Sequence, residues 1–347
     1  MSPTGMDLVF SPLESKRFGL RVFRAAASGP DAAALRGALL THRPDLLILR
    51  IPAAELGALG VLEQLGVPII VADTLVHYAV DLEKTADAPL RNPGIAFTPA
   101  SGEELESLVR LIFGDYVNHY AVNPLLPRQS FLDGYVEWAV GFTEGPADRA
   151  AWIARLDGEP VAFATCTFTP EEADGILYGV IPEASGRGVY RDLIRFTATQ
   201  GRLRGCRRMH VSTQIPNFPV QAVWAGEGFR LKGAETTLHV NALLDWAAAA
   251  PQRTECRWAA ADLTGGDPWQ EARLLDEVGR RLLAGGGWDR SALPYAVRRF
   301  RVRPLEAGVA YSARLGVLEA PAGLAVLQVS DEAGGLTHQA YYHLPRS

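Results

Sequence analysis

The sequence predicts an α+β fold: a mixed sheet preceded by an N-terminal α/β extension and followed by a small unit of one helix and antiparallel strands. Two apolar runs flank a helical stretch near the start. A hairpin and a strand–turn–helix unit fill the middle, and an amphipathic helix precedes alternating segments near the end. We therefore expect domains at residues 1–95, 96–246 and 252–347.

The N-terminal part is typical of a βαβ unit. Residues 46–51 and 68–72 are apolar runs of the buried-strand type, and residues 53–65 between them have helical character. Ser101, with Glu104 three residues later, predicts the start of a helix that opens the middle domain.

The middle part contains the most informative pattern of the chain. Residues 151–166 alternate on both sides of an Asp-Gly pair, which predicts a β-hairpin. Residues 176–180 alternate as a strand, Gly186 and Gly188 free the backbone, and apolar residues recur at helical spacing from Tyr190. Because such a turn aims N–H groups and a helix N-terminus at an anion, we predict a phosphate-binding site.

Arginines near this turn favour a ligand with several phosphates, although some must be the solvated face of the helix. A Walker loop would need Gly-Lys-Ser/Thr, which does not follow Gly188. A dinucleotide site would need three glycines and an acidic residue at the end of the next strand, but the strand predicted at 209–214 ends without one. The arginines are Arg187, Arg191, Arg195, Arg202, Arg204, Arg207 and Arg208.

The C-terminal part begins after an alanine-rich stretch. A helix is predicted over 269–284, followed by alternating segments at 295–303, 308–318 and 323–330. One helix and several antiparallel strands form a small separate layer structure.

Composition limits the class of protein. The 347 residues, 48% hydrophobic and 21% charged, predict a soluble globular chain of about two domains. The net charge of −5 argues against general nucleic-acid binding.

No apolar run approaches the ~18 residues of a membrane helix and no signal-peptide core is visible, so we expect a cytoplasmic protein. The three cysteines have neither disulfide nor zinc spacing, and no metal is expected; reduced structural thiols are expected, while a covalent intermediate on Cys166 stays open.

The turn Ser185-Gly-Arg-Gly-Val-Tyr190 resembles the coenzyme A pyrophosphate loop of the GNAT N-acyltransferase superfamily, whose signature is Arg/Gln-x-x-Gly-x-Gly/Ala. Only Gly188 matches strictly, since Ser185 and Tyr190 stand at the other signature positions. The binding groups are backbone N–H groups, which remain available. The preceding hairpin, Asn217 and the Gly-Phe pair ending at Phe229 fit the same resemblance.

The resemblance implies acetyl-CoA or another acyl-CoA as cosubstrate and a small-molecule amine as acceptor. It places Val180 and Ile181 beside the acyl group. The residues implied beside the pyrophosphate are Gly186, Arg187, Gly188, Val189, Tyr190 and Arg191.

The candidate catalytic residues depart from the pattern of the superfamily. The superfamily's usual general acid is a Tyr seven residues after the motif Asn, and counting from Asn217 reaches Trp224, whose indole does not protonate a thiolate. Either Trp224 only packs while the thiolate leaves unaided or through water, or the protein is not an ordinary acetyltransferase. His119 is a candidate base for the amine, with a packing histidine as the alternative.

Two further resemblances refine these expectations. Residues 11–19, 118–127 and 135–138 are similar to the sugar-nucleotide, dTDP-fucosamine acetyltransferase-like branch, which implies an amino sugar nucleotide as acceptor. Residues 293–302 resemble half of a hot-dog, polyketide dehydratase-like domain, with Asp276 near the place of its catalytic Asp. A noncatalytic role in packing or in forming a homodimer is the alternative.

The sequence therefore predicts an acyl-CoA-dependent N-acyltransferase that acts on an amino sugar nucleotide or a natural-product intermediate. One alternative is an atypical GNAT protein that decarboxylates malonyl-CoA or acylates a carrier-protein thiol; another is a noncatalytic acyl-CoA or carrier-binding protein. An acyl carrier protein would meet a row of strand arginines, unless these are only a solvated face: Arg298, Arg299, Arg301 and Arg303.

Overall fold

The computed structural model of the protein describes residues 6–29, 31–85, 88–116, 118–260, 263, 267–287, 296, 298–318 and 323–344. The chain forms two compact units. The first comprises residues 1–72, 122–127 and 237–347, and the second comprises 73–121 and 128–236. Each unit thus combines segments that are far apart in the sequence, whereas the three domains expected from the sequence follow chain order and stay a prediction.

The first unit contains the two ends of the chain, and β4 and β10 each contribute residues to both units. Its strands and helices are β1 (Val9–Phe10), α1 (Pro12–Phe18), β2 (Val22–Ala26), α2 (Ala32–His42), β3 (Leu46–Pro52), α3 (Leu59–Glu63), β4 (Ile69–Asp81), β10 (Arg230–Val240), α8 (Trp246–Ala249), β11 (Gln252–Ala259), α9 (Pro268–Gly285), β12 (Arg298–Arg301), β13 (Ala310–Leu318), β14 (Leu324–Asp331) and β15 (Leu336–His343).

The N-terminal part of this unit differs from a plain βαβ unit. β2 is antiparallel to β1 and parallel to β3, and β10 lies between β3 and β4 in the strand order. The helix predicted over 53–65 is a 3-10 turn, Ala53–Ala58, followed by the five-residue α3. Gly57 and Gly60 fall within this stretch, and glycine lowers helix stability by about 1 kcal/mol per residue.

The C-terminal part is a five-stranded antiparallel sheet in the order β11-β13-β14-β15-β12, with α9 packed on one face through Leu275, Val278 and Leu282. This confirms the predicted helix and antiparallel sheet; residues 295 and 297 of the segment predicted at 295–303 lie outside the described residues. The other face shares a hydrophobic core with α2 and β3, in which Leu39 and Tyr341 are fully buried.

The second unit contains the middle of the chain. Besides its parts of β4 and β10, its strands and helices are β5 (Ile95–Pro99), α4 (Gly102–Phe113), α5 (Gln129–Val140), β6 (Arg149–Leu156), β7 (Glu159–Phe168), β8 (Glu172–Val180), α6 (Val189–Leu203), β9 (Arg208–Gln214) and α7 (Phe218–Gly226).

A mixed sheet forms the centre of the second unit, in the order β4-β9-β8-β7-β6-β5. Within this sheet only β8 and β9 pair in parallel. β4 is antiparallel to β9, and β5, β6, β7 and β8 are each antiparallel to the next. One hydrophobic cluster packs α6 and α7 on one face through Ile194 and Trp224, and another packs α4 and α5 on the opposite face. The predicted α+β class and mixed sheet are confirmed.

Candidate functional site

The two parallel strands of the second unit separate partway along their length. β8 and β9 pair only over Glu172–Gly175 and Arg208–Val211. Beyond these residues β9 still pairs with β4 up to Gln214, and β8 still pairs with β7 up to Val180. The ends of the two strands therefore leave a gap in the middle of the sheet.

A β-bulge sets the direction of the β8 main chain at this gap. Thr165 pairs with Leu177 and Cys166 with Gly175, so Ile176 is an extra residue on β8. The Leu177 N–H donates to Thr165 Oγ1 (3.0 Å), and the Ile181 N–H donates to Val161 O (2.9 Å), both towards β7.

Main-chain groups of neighbouring residues in an antiparallel strand point to opposite edges. The N–H and C=O of Val180 therefore point to the edge of β8 that β9 has left. Of the two residues expected beside the acyl group, Val180 offers its N–H to the gap, and Ile181 has its N–H engaged by β7.

The predicted glycine turn follows β8 directly. After the 3-10 turn Pro182–Ala184, Gly186 and Gly188 have φ angles of 75° and 85°, which glycine adopts without the penalty that other residues incur. α6 begins at Val189, so the N–H groups of its first turn have no intrahelical acceptor. The predicted residues Gly186 to Arg191 thus lie on one turn at a helix N-terminus, a donor set that fits a pyrophosphate.

A segment that precedes β5, residues 89–92, is bound to this turn; we call it the strap. Asp192, which is fully buried, accepts hydrogen bonds from Arg91 N (2.6 Å), Asn92 N (3.1 Å) and Asn92 Nδ2 (2.7 Å). Asn92 Nδ2 also donates to Arg187 O (3.2 Å), and Arg195 donates to Pro89 O. An acidic residue in the first helical turn was the only sequence signal for this contact.

Most arginines that suggested a polyphosphate ligand have protein partners. Arg195 donates to Glu227 through Nε (2.8 Å) and Nη2 (2.9 Å), and Arg191 Nε lies 3.1 Å from the same carboxylate. Arg207 pairs with Glu83, and Arg204 lies over an aromatic ring. The arginine-rich segment therefore contributes fewer free cations to the turn than the sequence suggested; Arg187 is exposed on the turn itself.

The residues of the second cofactor motif lie on and before α7. Asn217 stands at the N-cap position and donates from Nδ2 to Thr213 Oγ1 (3.0 Å). Trp224 is 2% exposed and packs on Tyr78 at 5.4 Å between ring centroids, in the cluster that also contains Tyr190. Trp224 Nε1 has no acceptor with good hydrogen-bond geometry among the described residues, although its side chain interacts with the Tyr190 hydroxyl. Trp224 is thus buried in this cluster, where burial raises the pKa of the Tyr190 hydroxyl and the interaction with Trp224 lowers it by less.

The thiol on β7 is not activated. Cys166 is completely buried, and burial raises its pKa to about 12, while its Sγ lies 3.2 Å from the Tyr178 hydroxyl. Because the thiolate is the nucleophilic form, this environment disfavours the acyl-thiol intermediate that the sequence left open. All three cysteines are free thiols.

Three polar side chains near the end of β9 are linked by hydrogen bonds that the sequence did not indicate. The Tyr116 hydroxyl donates to Gln214 Oε1 (2.8 Å), and Gln214 Nε2 donates to Asp73 Oδ2 (3.3 Å). Gln214 is the last residue of β9, beyond the point where β9 leaves β8. His119 begins the 3-10 turn His119–Val122, and its ring lies 3.9 Å from that of Tyr120 between centroids, with the two planes tilted by 40°.

The polar residues of the C-terminal sheet are paired with one another. Asp276 accepts hydrogen bonds from Arg299 Nη2 (2.9 Å) and the Tyr342 hydroxyl (3.1 Å), an arrangement typical of a structural carboxylate. The other strand arginines also have carboxylate partners, which offset part of the positive charge expected to meet an acyl carrier protein. The pairs are Arg298 with Glu63, Arg301 with Glu271, and Arg303 with Asp331.

Two negative findings apply to the described part of the chain. It contains no group of three or more His, Cys, Asp or Glu side chains that could hold a metal ion. Among those same residues, no helix is both long enough and apolar enough to cross a membrane.

Comparison with known proteins places the middle of the chain in a family. Residues 114–229, which include the gap, the glycine turn and α7, match the sequence profile of the Acetyltransferase (GNAT) family. This segment belongs to the GNAT acyltransferase family. GNAT enzymes use acyl-CoA to acylate amine acceptors, so the expected superfamily and enzyme class are confirmed, and the sugar-nucleotide branch and the hot-dog resemblance stay predictions. No curated protein sequence matches the chain.

Solved structures similar to this one share little sequence with it. A functionally unknown conserved protein from Staphylococcus epidermidis ATCC 12228 is 13% identical, covering 70% of this chain and 92% of its own, with a TM-score of 0.50. GCN5-related N-acetyltransferases from Kribbella flavida (18% identity; 63% and 81% covered; TM-score 0.43) and Sphaerobacter thermophilus (17%; 56% and 59%; 0.43) are also similar. The likeness to the Staphylococcus protein concerns the fold.

Proposed function

We propose that this protein transfers an acyl group from an acyl-CoA to the amino group of a small molecule. The observation that carries the proposal is the gap between β8 and β9 directly before the glycine turn that opens α6. A gap in the sheet next to an anion-binding turn offers main-chain hydrogen bonds to an extended ligand whose far end is a polyphosphate.

On the donor side, the chain contributes mainly backbone groups. The first-turn N–H groups of α6 would bind the pyrophosphate, and the acyl-CoA would supply the activated acyl carbon and a thiolate leaving group. The N–H of Val180 points into the gap, where it would stabilise negative charge on the thioester oxygen. These residues bind and orient, and none of them changes protonation.

On the acceptor side, the reaction forms a C–N bond, breaks a C–S bond and moves one proton from the amine to the thiolate. We propose that water and not Trp224 delivers that proton, because an indole N–H is not acidic enough to protonate a thiolate. His119 or the carboxylate of Asp73, which is oriented by Gln214, would receive the proton of the attacking amine, directly or through water.

The nature of the acceptor is the finer part of the proposal. The resemblance of residues 118–127 and 135–138 to the sugar-nucleotide branch supports an amino sugar nucleotide, with a natural-product amine as the broader class. Transfer to a carrier thiol loses support because the C-terminal arginines are paired with carboxylates. We propose a packing or homodimer-forming role for the C-terminal sheet.

Calorimetry with acetyl-CoA, malonyl-CoA and free CoA tests the donor side, and mass spectrometry of an amine panel incubated with the bound acyl-CoA tests the acceptor side. Gly188→Tyr should abolish binding, because it forces a bulky side chain into a φ of 85° at the turn. Gly233→Tyr is the matched control, since no atom lies within 4 Å of its Cβ position. Absence of CoA binding by the unmodified protein would refute the proposal.

A further inference from the structure

We infer that Arg91, held by the strap, is a ligand of the cosubstrate pyrophosphate. The inference rests on the proposed function, because it assigns a further residue to the same site. Arg91 lies outside the segment that matches the GNAT profile, about a hundred residues before the turn that it contacts.

The first argument is position. A Cβ atom placed on Gly188 would lie 3.4 Å from Arg91 Cδ and 3.8 Å from Arg91 Nε. The aliphatic part of Arg91 therefore lies beside the open side of Gly188, the residue at the N-cap of α6, and its guanidinium begins next to the glycine turn. The side chain is exposed, so its charged end is accessible to a ligand.

The second argument is rigidity. The main-chain N–H groups of Arg91 and Asn92 are both bound by the buried carboxylate of Asp192, at 2.6 and 3.1 Å. Asn92 Nδ2 and the carbonyl of Pro89 add two more contacts with the turn and with α6. Because the strap backbone is fixed to the helix whose N-terminus forms the site, Arg91 is pre-positioned, which lowers the entropic cost of binding.

The third argument is electrostatic. A cation near a helix N-terminus is unfavourable, because that end of the macrodipole is positive. Arg191 and Arg195 share the carboxylate of Glu227, and Asp192 supplies one further negative charge, although its oxygens accept hydrogen bonds from strap N–H groups. Arg91 and the exposed Arg187 thus add positive charge where the helix end is already positive. A dianionic pyrophosphate between them would offset it, through charge-assisted hydrogen bonds.

The test compares binding of CoA, dephospho-CoA and pantetheine by calorimetry. Arg91→Met keeps the aliphatic contact with Gly188 and removes the charge; we expect it to weaken CoA and dephospho-CoA equally, on the order of tenfold, and to leave pantetheine unchanged. Arg91→Lys should recover part of the loss. Arg207→Met is the control, because Arg207 pairs with Glu83 beyond the other end of α6 and should not affect any of the three ligands.

The outcomes separate the two proposals. CoA binding that is equal in Arg91→Met and the unmodified protein overturns the inference and leaves the proposed function intact. A loss confined to CoA would assign Arg91 to the 3′-phosphate and overturn the pyrophosphate assignment. An unmodified protein that binds none of the three ligands overturns the proposed function itself. Equal thermal unfolding of Arg91→Met and the unmodified protein excludes a folding defect as the cause of weakened binding.

Discussion

Replacing Asp192 by alanine should destabilise the second unit, because the strap loses its main attachment to α6. The carboxylate is fully buried and accepts two main-chain N–H groups and one side-chain amide. Asn92 Nδ2 keeps its hydrogen bond to Arg187 O, but the two main-chain donors are left without an acceptor. At about 1.5 kcal/mol for each charge-assisted bond, the free energy of unfolding should fall by about 3 kcal/mol.

Thermal and urea unfolding measure this loss. Domains of 150–250 residues lose roughly 2–4 °C of Tm per kcal/mol, so Asp192→Ala should unfold about 6–12 °C earlier. Asp192→Asn keeps one acceptor oxygen and should lose roughly half as much. Asp133→Ala is the control, because Asp133 is 68% exposed and should change stability by less than about 0.5 kcal/mol. An Asp192→Ala protein as stable as the control variant would show that the strap contact contributes nothing to folding.

Three further predictions concern other groups. Trp224→Phe should keep kcat/KM within about threefold of the unmodified enzyme in an acetyl-transfer assay, because the indole N–H is buried and no proton donor. Iodoacetamide at pH 8 should modify Cys256, which is half-buried and lines a cavity of about 450 Å³, long before Cys166, whose pKa burial raises to about 12. His239 is buried, and burial lowers its pKa from 6.5 to about 4. Between these two pH values the unfolded chain binds a proton at this histidine and the folded protein does not. Stability from this group is fully present above pH 6.5 and is lost as the pH falls towards 4; at pH 5 urea unfolding should show a loss of about 2 kcal/mol relative to pH 7.5 that is missing in His239→Gln.

Each of these has a contradicting result. A large fall in kcat with unchanged KM in Trp224→Phe would give the indole a role in catalysis. Peptide mapping that finds Cys166 modified first would show that β7 opens in the native state. An identical pH dependence in His239→Gln and the unmodified protein would assign the acid sensitivity to other groups.

Local patterns in the sequence were sufficient to predict the hairpin, the helix start and the glycine turn at the centre of the second unit. Asp157 and Gly158 have φ angles of 54° and 90°, as the predicted Asp-Gly hairpin requires. Ser101 Oγ accepts the Glu104 N–H at 3.3 Å, as its capping position predicted. The glycine turn before α6 was readable for the same reason: its backbone geometry is determined by residues next to one another in the chain.

Contacts between segments that are distant in the sequence could not be predicted from local patterns. Nothing near Asp192 indicates that its partners lie a hundred residues earlier, and neither Gln214 nor Tyr116 carries a local sign of the hydrogen bond between them. β15 was missed because its buried residues include Thr337 and Gln339, whose polar groups are satisfied by main-chain carbonyls, so the strand lacks an apolar pattern. Tertiary hydrogen bonds here override the hydropathy on which strand prediction depends.

The composition of the first unit has a consequence for synthesis on the ribosome. Its core joins residues from both ends of the chain: Leu39 and Leu49 pack in one cluster with Val326 and Tyr341. Translation proceeds at about 5–20 residues per second, so the C-terminal strands are synthesised tens of seconds after the N-terminal segment. All segments of the second unit are synthesised before those strands. During that interval the apolar surfaces of α2 and β3 lack their C-terminal cover, so chaperone binding to nascent chains should be strongest before the last strands emerge.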